Sequence, residues 1–331
     1  MPMTFRLLTA HDVAQLLAGQ DLVMLMEQAL AAFSAGEVVQ PVRTSVFVGP
    51  ERAVLGLMPA HMPSRAALGS KLVTVFNDNH TRGLPSHFAT ILLFDDQTGA
   101  LISVMDGSHI TEVRTAAVSA VAVRHLATAP VRRLAIFGCG VQATSHVRAI
   151  AAEVPTLEEV RVWSPMGEPG RFVDAMRAEM TVPVVEAASG EAAAIGADLC
   201  VLVTSSPEPV IQRAWVGAGA LVISVGACRR DHREMDPQLV ADARLFVDSR
   251  AAALIESGDI VQSMAEGRFT ADHIRGELGD AVIGRAAPRA SAGEIVVFKS
   301  LGLAVEDVAV ADLVYRRALS EQVGVDLSLE R

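Results

Sequence analysis

The run Leu134-Ala135-Ile136-Phe137-Gly138-Cys139-Gly140-Val141-Gln142-Ala143 constrains the fold more than any other stretch of the chain. An apolar strand leads straight into Gly-x-Gly-x-x-Ala, and residues 144–151 continue as a helix with Ala143, Val147 and Ile150 on one face. Strand, tight glycine turn and helix in that order make up the dinucleotide-binding fingerprint. The first glycine permits the turn, the second lets backbone approach a pyrophosphate, and the small third residue lets helix and strand pack closely. A phosphate would rest on the helix N-terminus, where unpaired N–H groups and the dipole both favour an anion. A glycine-rich turn that holds nothing would share this spelling, and the strand before and helix after it favour the binding reading.

From Val131 onward strand and helix alternate, with strands expected near 134–137, 159–163, 183–185, 199–204, 221–225 and 244–247. Alternation at this spacing implies a parallel, doubly wound sheet, an α/β fold of Rossmann type. The chain before it reads differently. Thr9 with Asp12 resembles a capping box opening a short helix, and Asp21 caps a second. Short β-rich runs follow at 42–47, 53–58, 71–76, 88–94 and 100–105, with Asp95 to Gly99 as a hairpin loop, so a mostly antiparallel sheet is expected.

After Asp106-Gly107-Ser108 an alanine-rich helix should run to about His125, and Thr128-Ala129-Pro130 reads as the connector between domains. Near Phe298 the chain enters a last helix with Glu306 and Asp307 early and Arg316 and Arg317 late, matching the helix dipole. Val308, Ala311, Tyr315 and Leu319 form its apolar stripe, and it should return to pack on the first domain. The expected division is therefore an α+β substrate-binding and dimerisation domain, residues 1–130 with 303–331, and a Rossmann domain, residues 131–302.

The 331 residues suffice for two domains, and a composition 51% hydrophobic and 20% charged is that of a globular chain without an apolar run of membrane-spanning length. The N-terminus lacks a basic segment followed by an apolar core, so a cytoplasmic location is expected. A net charge of -10 without a Lys/Arg cluster argues against nucleic acid as a partner. Cys139, Cys200 and Cys228 are too few and too scattered for a disulfide framework or a zinc site, and no metal is expected.

An Asp or Glu at the end of the second Rossmann strand would hold the ribose hydroxyls of NAD and repel a 2′-phosphate. Ser164 stands there instead, a hydroxyl that serves either cofactor, while Arg171 a few residues on is either a phosphate contact or a solvated helix arginine. NADPH is favoured on this reading, with NADH open. Three cations stand out for a carboxylate substrate: Arg43 at the start of a strand, Lys71 opening another, and Arg114 before a run of small residues. Each alone is more often a surface charge; if buried, each must find a partner or a ligand.

Lys71-Leu72-Val73-Thr74-Val75, Gly83-Leu84-Pro85-Ser86, Arg114-Thr115-Ala116-Ala117, the glycine turn, Ser224-Val225-Gly226-Ala227 and Phe298-Lys299-Ser300-Leu301-Gly302 together resemble the ornithine cyclodeaminase and mu-crystallin family. The resemblance implies a homodimer paired through the first domain's sheet and an active site in a cleft between domains. It implies that Arg43, Lys71 and Arg114 hold a substrate carboxylate. Ser86, Arg114, Thr115, Gly138, Gly140, Val141, Gln142, Ala143, Ser164, Thr204, Ser205 and Val225 would line the cofactor.

Cyclodeaminases and related alanine dehydrogenases of this family carry an aspartate after Gly-Gly or Gly-Ala, where this chain has Gly226-Ala227-Cys228. The continuation, Arg229 to Asp236, resembles the ketimine reductase branch, whose preformed imine needs no base to cyclise ornithine. The resemblance thus implies NADPH- or NADH-dependent reduction of Δ1-pyrroline-2-carboxylate or Δ1-piperideine-2-carboxylate to L-proline or L-pipecolate. Lys71, Arg43 and Asp231 would be the catalytic residues, with Lys71 or a water giving the proton and Asp231 steadying the iminium; His232 is a further candidate. The rivals are an ornithine cyclodeaminase or alanine dehydrogenase, and a cofactor-dependent binding protein.

Overall fold

The computed structural model describes residues 4–49, 53–127 and 129–329. In chain order the elements are β1 (Thr4–Leu8), α1 (Ala10–Leu17), α2 (Leu22–Ser34), β2 (Thr44–Val48), β3 (Ala53–Met62), β4 (Ala67–Val75), β5 (His87–Phe94), β6 (Leu101–Asp106) and α3 (Ser108–Leu126). They continue as β7 (Arg133–Phe137), α4 (Val141–Glu153), β8 (Glu159–Trp163), α5 (Pro169–Glu179), β9 (Val184–Glu186), α6 (Gly190–Ala194), β10 (Leu199–Leu202) and β11 (Leu221–Ser224). The remainder is α7 (Pro237–Asp242), β12 (Arg244–Val247), α8 (Arg250–Glu256), α9 (Gly258–Ala265), β13 (Ile274–Glu277), α10 (Leu278–Val282), β14 (Val296–Lys299), α11 (Ala304–Glu321) and β15 (Val325–Ser328). Two compact units result, Met1–Arg114 with Leu303–Arg331 and Thr115–Gly302.

The first unit is built on a seven-stranded sheet in the order β15-β1-β6-β5-β4-β3-β2. Among the described residues only its β1–β6 pair is parallel, and a tight hairpin at 95–100 joins β5 to β6 as expected. Register puts Met58, Lys71, Ile91 and Met105 side by side on one face, all buried. With a two-residue period, Leu57, Leu72 and Leu92 point to the other face. Helix α11 lies across β3, β4 and β5 and against α2, so the last helix does pack on this sheet. Both N-terminal caps form: Thr9 and Asp12 make a reciprocal capping box, and Asp21 accepts from the Met24 N–H at 3.0 Å.

The second unit holds eight parallel strands in the order β13-β12-β14-β11-β10-β7-β8-β9. The order reverses between β7 and β10, which makes the carboxyl end of β7, where the Gly138 turn begins, a topological switch point. The strands β10, β11 and β14 are buried along their whole length and β7 from Leu134 onward, as a sheet covered on both faces requires.

Three expectations need correction. Phe298 does not open the last helix; it sits in β14, between β11 and β12, and the helix starts at Ala304. A short apolar run such as Ile295 to Phe298 has no periodicity that separates strand from helix. The division between units falls inside α3, after Arg114, whereas the expected boundary lay at 130, and Thr128 of that connector lies outside the described residues. Residues 116–123 of α3 are all buried, and the Ser119 hydroxyl lies 2.9 Å from His146 Nε2 of α4, which binds this half of the helix to the second unit. Finally, Leu319 of the expected apolar stripe is exposed, while Val305, Val310 and Val314 are buried with Val308 and Ala311. The strands β1, β13 and β15 were not anticipated.

Candidate active site

Strand alternation aims Lys71 at the helix-covered face of its sheet, where it is only 2% exposed. An ammonium buried so deeply needs an anion, because desolvation of a lone charge costs more than folding can offset. Asp307 of α11 is that anion: its Oδ2 lies 2.6 Å from Lys71 Nζ. Lys71 also donates to Thr111 Oγ1 at 3.4 Å. Burial is the largest influence on Lys71 and pulls its pKa down; Asp307 opposes this, Arg114 and Arg43 add to it, and the result is about 8.

Arg114 is buried beside it. Its Nε donates to Asp307 Oδ1 at 3.0 Å and its Nη1 to Glu306 Oε2 at 2.7 Å. Glu306 and Asp307, read from the sequence as acids matching the dipole at the start of the last helix, are completely buried and serve as counter-ions. Burial pushes Asp307 toward protonation, yet Arg114 and Lys71 together outweigh it and hold the carboxyl below its ordinary range. Arg43 is half-buried just before β2 rather than within it, near enough to bear on Lys71. Ser86, at the mouth of β5, has its hydroxyl 3.0 Å from His87 Nδ1. The structure therefore brings Arg43, Lys71 and Arg114 into one electrostatic group. Arg114, expected to hold substrate, already has two of its nitrogens on carboxylates of its own chain.

In the second unit Gly138 has φ of 121°, and a Cβ there would stand 2.8 Å from the Val203 carbonyl oxygen. Only glycine fits comfortably. A Cβ on Gly140, in contrast, would meet open space, and no side chain caps the N-terminus of α4 that follows. Open backbone, an uncapped helix start and an exposed Val141 suit an approaching phosphate, while Ala143 is buried against the sheet. Ser164 follows β8 and donates to the Met166 carbonyl. Arg171 is almost fully solvated, 3.9 Å from Glu168. Thr115, the first residue of this unit, is buried on α3.

Thr204 and Val225 are buried just past β10 and β11, and Ser205 is exposed. Their backbone is organised by Glu234, a fully buried residue that sequence reasoning did not single out. Its carboxyl accepts from the N–H and hydroxyl of Thr204 (both 2.7 Å), the Ser224 hydroxyl (3.1 Å) and the N–H groups of Gly226 (2.8 Å) and Ala227 (3.1 Å). Burial raises the Glu234 pKa, but every partner is a donor, so the ionised form is the one this arrangement serves. Lys299 donates to Ser224 Oγ at 3.0 Å and lies 3.3 Å from Asp259. Asp231, in contrast, is exposed and engaged by Arg229 through both oxygens at 3.0 and 2.8 Å, which draws its pKa down to about 2. Among the described residues no group of His, Cys, Asp or Glu side chains is arranged to hold a metal ion.

A signal for the missed residues was available. Glu306, Asp307 and Asp312 interrupt an apolar run from Leu301 to Val314, and an acid inside such a run is either exposed at a helix end or paired in a core.

The chain matches the family model described as "Ornithine cyclodeaminase/mu-crystallin family" over residues 3–322. It is 43% identical to the ketimine reductase mu-crystallin of Rattus norvegicus, across 93% of this chain and 96% of that one. It is 33% identical to a Δ1-pyrroline-2-carboxylate reductase of Bacillus cereus, across 96% and 98%. Among solved structures it is similar to the Thermococcus litoralis Δ1-pyrroline-2-carboxylate reductase in complex with NADH and L-proline, with a TM-score of 0.94 and 33% identity over 98% of this chain and 100% of that one. The glycine turn, the buried lysine and these near full-length matches agree: the chain belongs to the ornithine cyclodeaminase/mu-crystallin family.

Proposed function

We propose that the protein reduces a cyclic ketimine carboxylate, Δ1-pyrroline-2-carboxylate or its six-membered homologue, to the cyclic L-amino acid, using NADPH or NADH. The observation that carries this reading is Lys71: a buried ammonium with a pKa of about 8, which can release a proton near neutral pH and lies in reach of Arg43's charge. An imine accepts hydride far more readily once its nitrogen is protonated, and a donor whose pKa lies near the working pH suits that task. Arg43 supports the substrate carboxylate, with Lys71 beside it, so that the carboxylate both orients the ring and offsets the local positive charge. Gly138, Gly140, Val141, Gln142 and Ala143 would receive the cofactor's pyrophosphate, and Thr204 and Val225 would border its nicotinamide half. When bound, the reduced nicotinamide supplies the hydride.

The residues after β11 favour reduction over cyclodeamination. Position 226 admits only glycine, since a Cβ would stand 1.9 Å from the Thr204 carbonyl, and no acid follows it at Ala227 or Cys228. Asp231, bound to Arg229 and exposed, takes a lesser part in this scheme than Lys71. The assay is direct: purified protein should oxidise NADPH or NADH in the presence of Δ1-pyrroline-2-carboxylate or Δ1-piperideine-2-carboxylate. Inactivity with both imines, together with ammonia release from ornithine or NADH formation from alanine, would transfer the assignment to the rival enzymes.

We further infer a cytoplasmic homodimer. No single helix among the described residues is long and apolar enough to cross a membrane. The face of the seven-stranded sheet opposite α11 carries Leu7, Leu57, Leu72, Leu92 and Val104 half-exposed, with Val46 and Phe88 exposed at 48% and 45%. A sheet face carrying this many apolar side chains is covered in stable proteins, and a second copy of the chain is the cover we infer.

A further inference from the structure

The chain contains two lysines, Lys71 and Lys299, against twenty-six arginines. Surface cations are therefore arginine throughout the described residues, and both lysines are buried, each with an aspartate at hand. Arginine does not lose its proton in proteins, whereas lysine is a compact ammonium whose pKa responds to its surroundings. A chain that uses lysine only where it is buried has reserved it for places where a small or titratable cation is required. At Lys71 the surroundings contain one clear element of control.

That element is Asp307. Every other charged group facing Lys71 works against its proton: Arg114 from α3 and Arg43 ahead of β2 repel it, and burial among the sheet residues favours the neutral amine. His87 on β5 feels Lys71 in return, since desolvation of the imidazole and then that ammonium lower its pKa. Glu306 is spent on Arg114. Asp307 is the anion in contact with Nζ, and its own position is locked from the far side, where Arg114 Nε donates to its second oxygen. Thr111, which donates to the Gly107 carbonyl at 2.7 Å, closes the other side of the ammonium.

We propose that Asp307 is a positioning residue for the reduction: it fixes the Lys71 ammonium in place and keeps it protonated through neutral pH, so that Lys71 delivers the proton to the imine nitrogen. This rests on the reading of the protein as a ketimine reductase. In the step, a Lys71 N–H bond breaks and an N–H bond forms on the ring nitrogen, while the π electrons of C=N pass to that nitrogen as hydride from the reduced nicotinamide makes the new C–H bond. Lys71 is left as a neutral amine beside an Asp307 that still faces Arg114, and it regains its proton from water. Asp307 itself stays ionised throughout, because Arg114 holds it so.

The scarcity of lysine makes the test clean. Full-length protein labelled with [13Cε]-lysine should give two lysine signals, with Lys299 as an internal control for the fold. In the wild type the Lys71 signal should titrate at the pH where kcat falls on the alkaline side; midpoints more than a unit apart would overturn the proposal without need of any variant. In Asp307→Asn the Lys71 midpoint should move down by about one unit or more, since loss of a counter-ion within contact shifts a pKa by about 1–3 units. The alkaline limb of kcat should move with it, giving at least roughly a fivefold loss at pH 8, with KM for reduced cofactor unchanged. Asp307→Glu, which keeps the charge but displaces it, should restore the titration while leaving kcat reduced. An unmoved Lys71 signal in Asp307→Asn, with Lys299 unchanged, would overturn Asp307's role. A shifted signal in a protein inert toward both cyclic imines would overturn proton delivery, which separates that failure from the first.

Discussion

At the scale of single residues, the chemistry rests on buried charges that are nearly balanced. Lys71 and Arg114 face Glu306 and Asp307, two cations against two anions in contact. Removing either partner of such a pair leaves the other charge unmatched, whereas changing an exposed arginine such as Arg171 has little effect. Lys71→Ala should lower kcat for imine reduction by a hundredfold to ten-thousandfold, about the range for loss of a positioned general acid, with reduced-cofactor affinity preserved; rapid-quench and fluorescence titration would measure the two. Glu234 makes a different point. Its five partners are all donors, so Glu234→Gln would turn an amide N–H₂ toward N–H groups that need an acceptor. We expect a loss of about 3 kcal/mol in urea unfolding, because buried donors would be left unsatisfied.

At the scale of elements, the turn between β7 and α4 separates two uses of glycine. Gly138 is a requirement of the fold: φ is 121° and the Val203 carbonyl blocks a side chain. Gly140 has no such neighbour, so its lack of a side chain serves what approaches from outside. Gly138→Ala should therefore destabilise the protein by about 1–3 kcal/mol through backbone strain. Gly140→Ala should leave the melting temperature in place and weaken cofactor binding, readable by isothermal titration calorimetry. Equal thermal destabilisation by both changes would contradict this division. The elements also show where periodicity loses its power. The strands β8 and β12 fall where alternation and flanking turn residues placed them, Glu159–Trp163 and Arg244–Val247. The strand β14 does not, because Val296 to Phe298 is uniformly apolar and a central parallel strand has no polar face to mark its period.

At the scale of the molecule, the open face of the seven-stranded sheet is the feature most in need of a partner. A charge placed in its middle, Leu72→Asp, should leave the fold intact, since Leu72 points away from α11, and should convert a dimer to a monomer in sedimentation velocity. A wild-type monomer at micromolar concentration would refute the pairing. The sequence by itself determined the α/β alternation, the glycine turn that opens a helix, and the antiparallel sheet before it. These depend on local spacing: a period of two or 3.6, a cap, or a glycine at a given offset, all legible within ten or twenty residues. Only the tertiary structure decided that Glu306 and Asp307 are counter-ions rather than dipole partners, that Glu234 ties Thr204 to Gly226, and that Arg114 spends two donors within the chain. Those roles join residues about 10 to 240 positions apart, and a charge's partner is set by what lies within a few ångströms once water has been excluded, which no local pattern encodes.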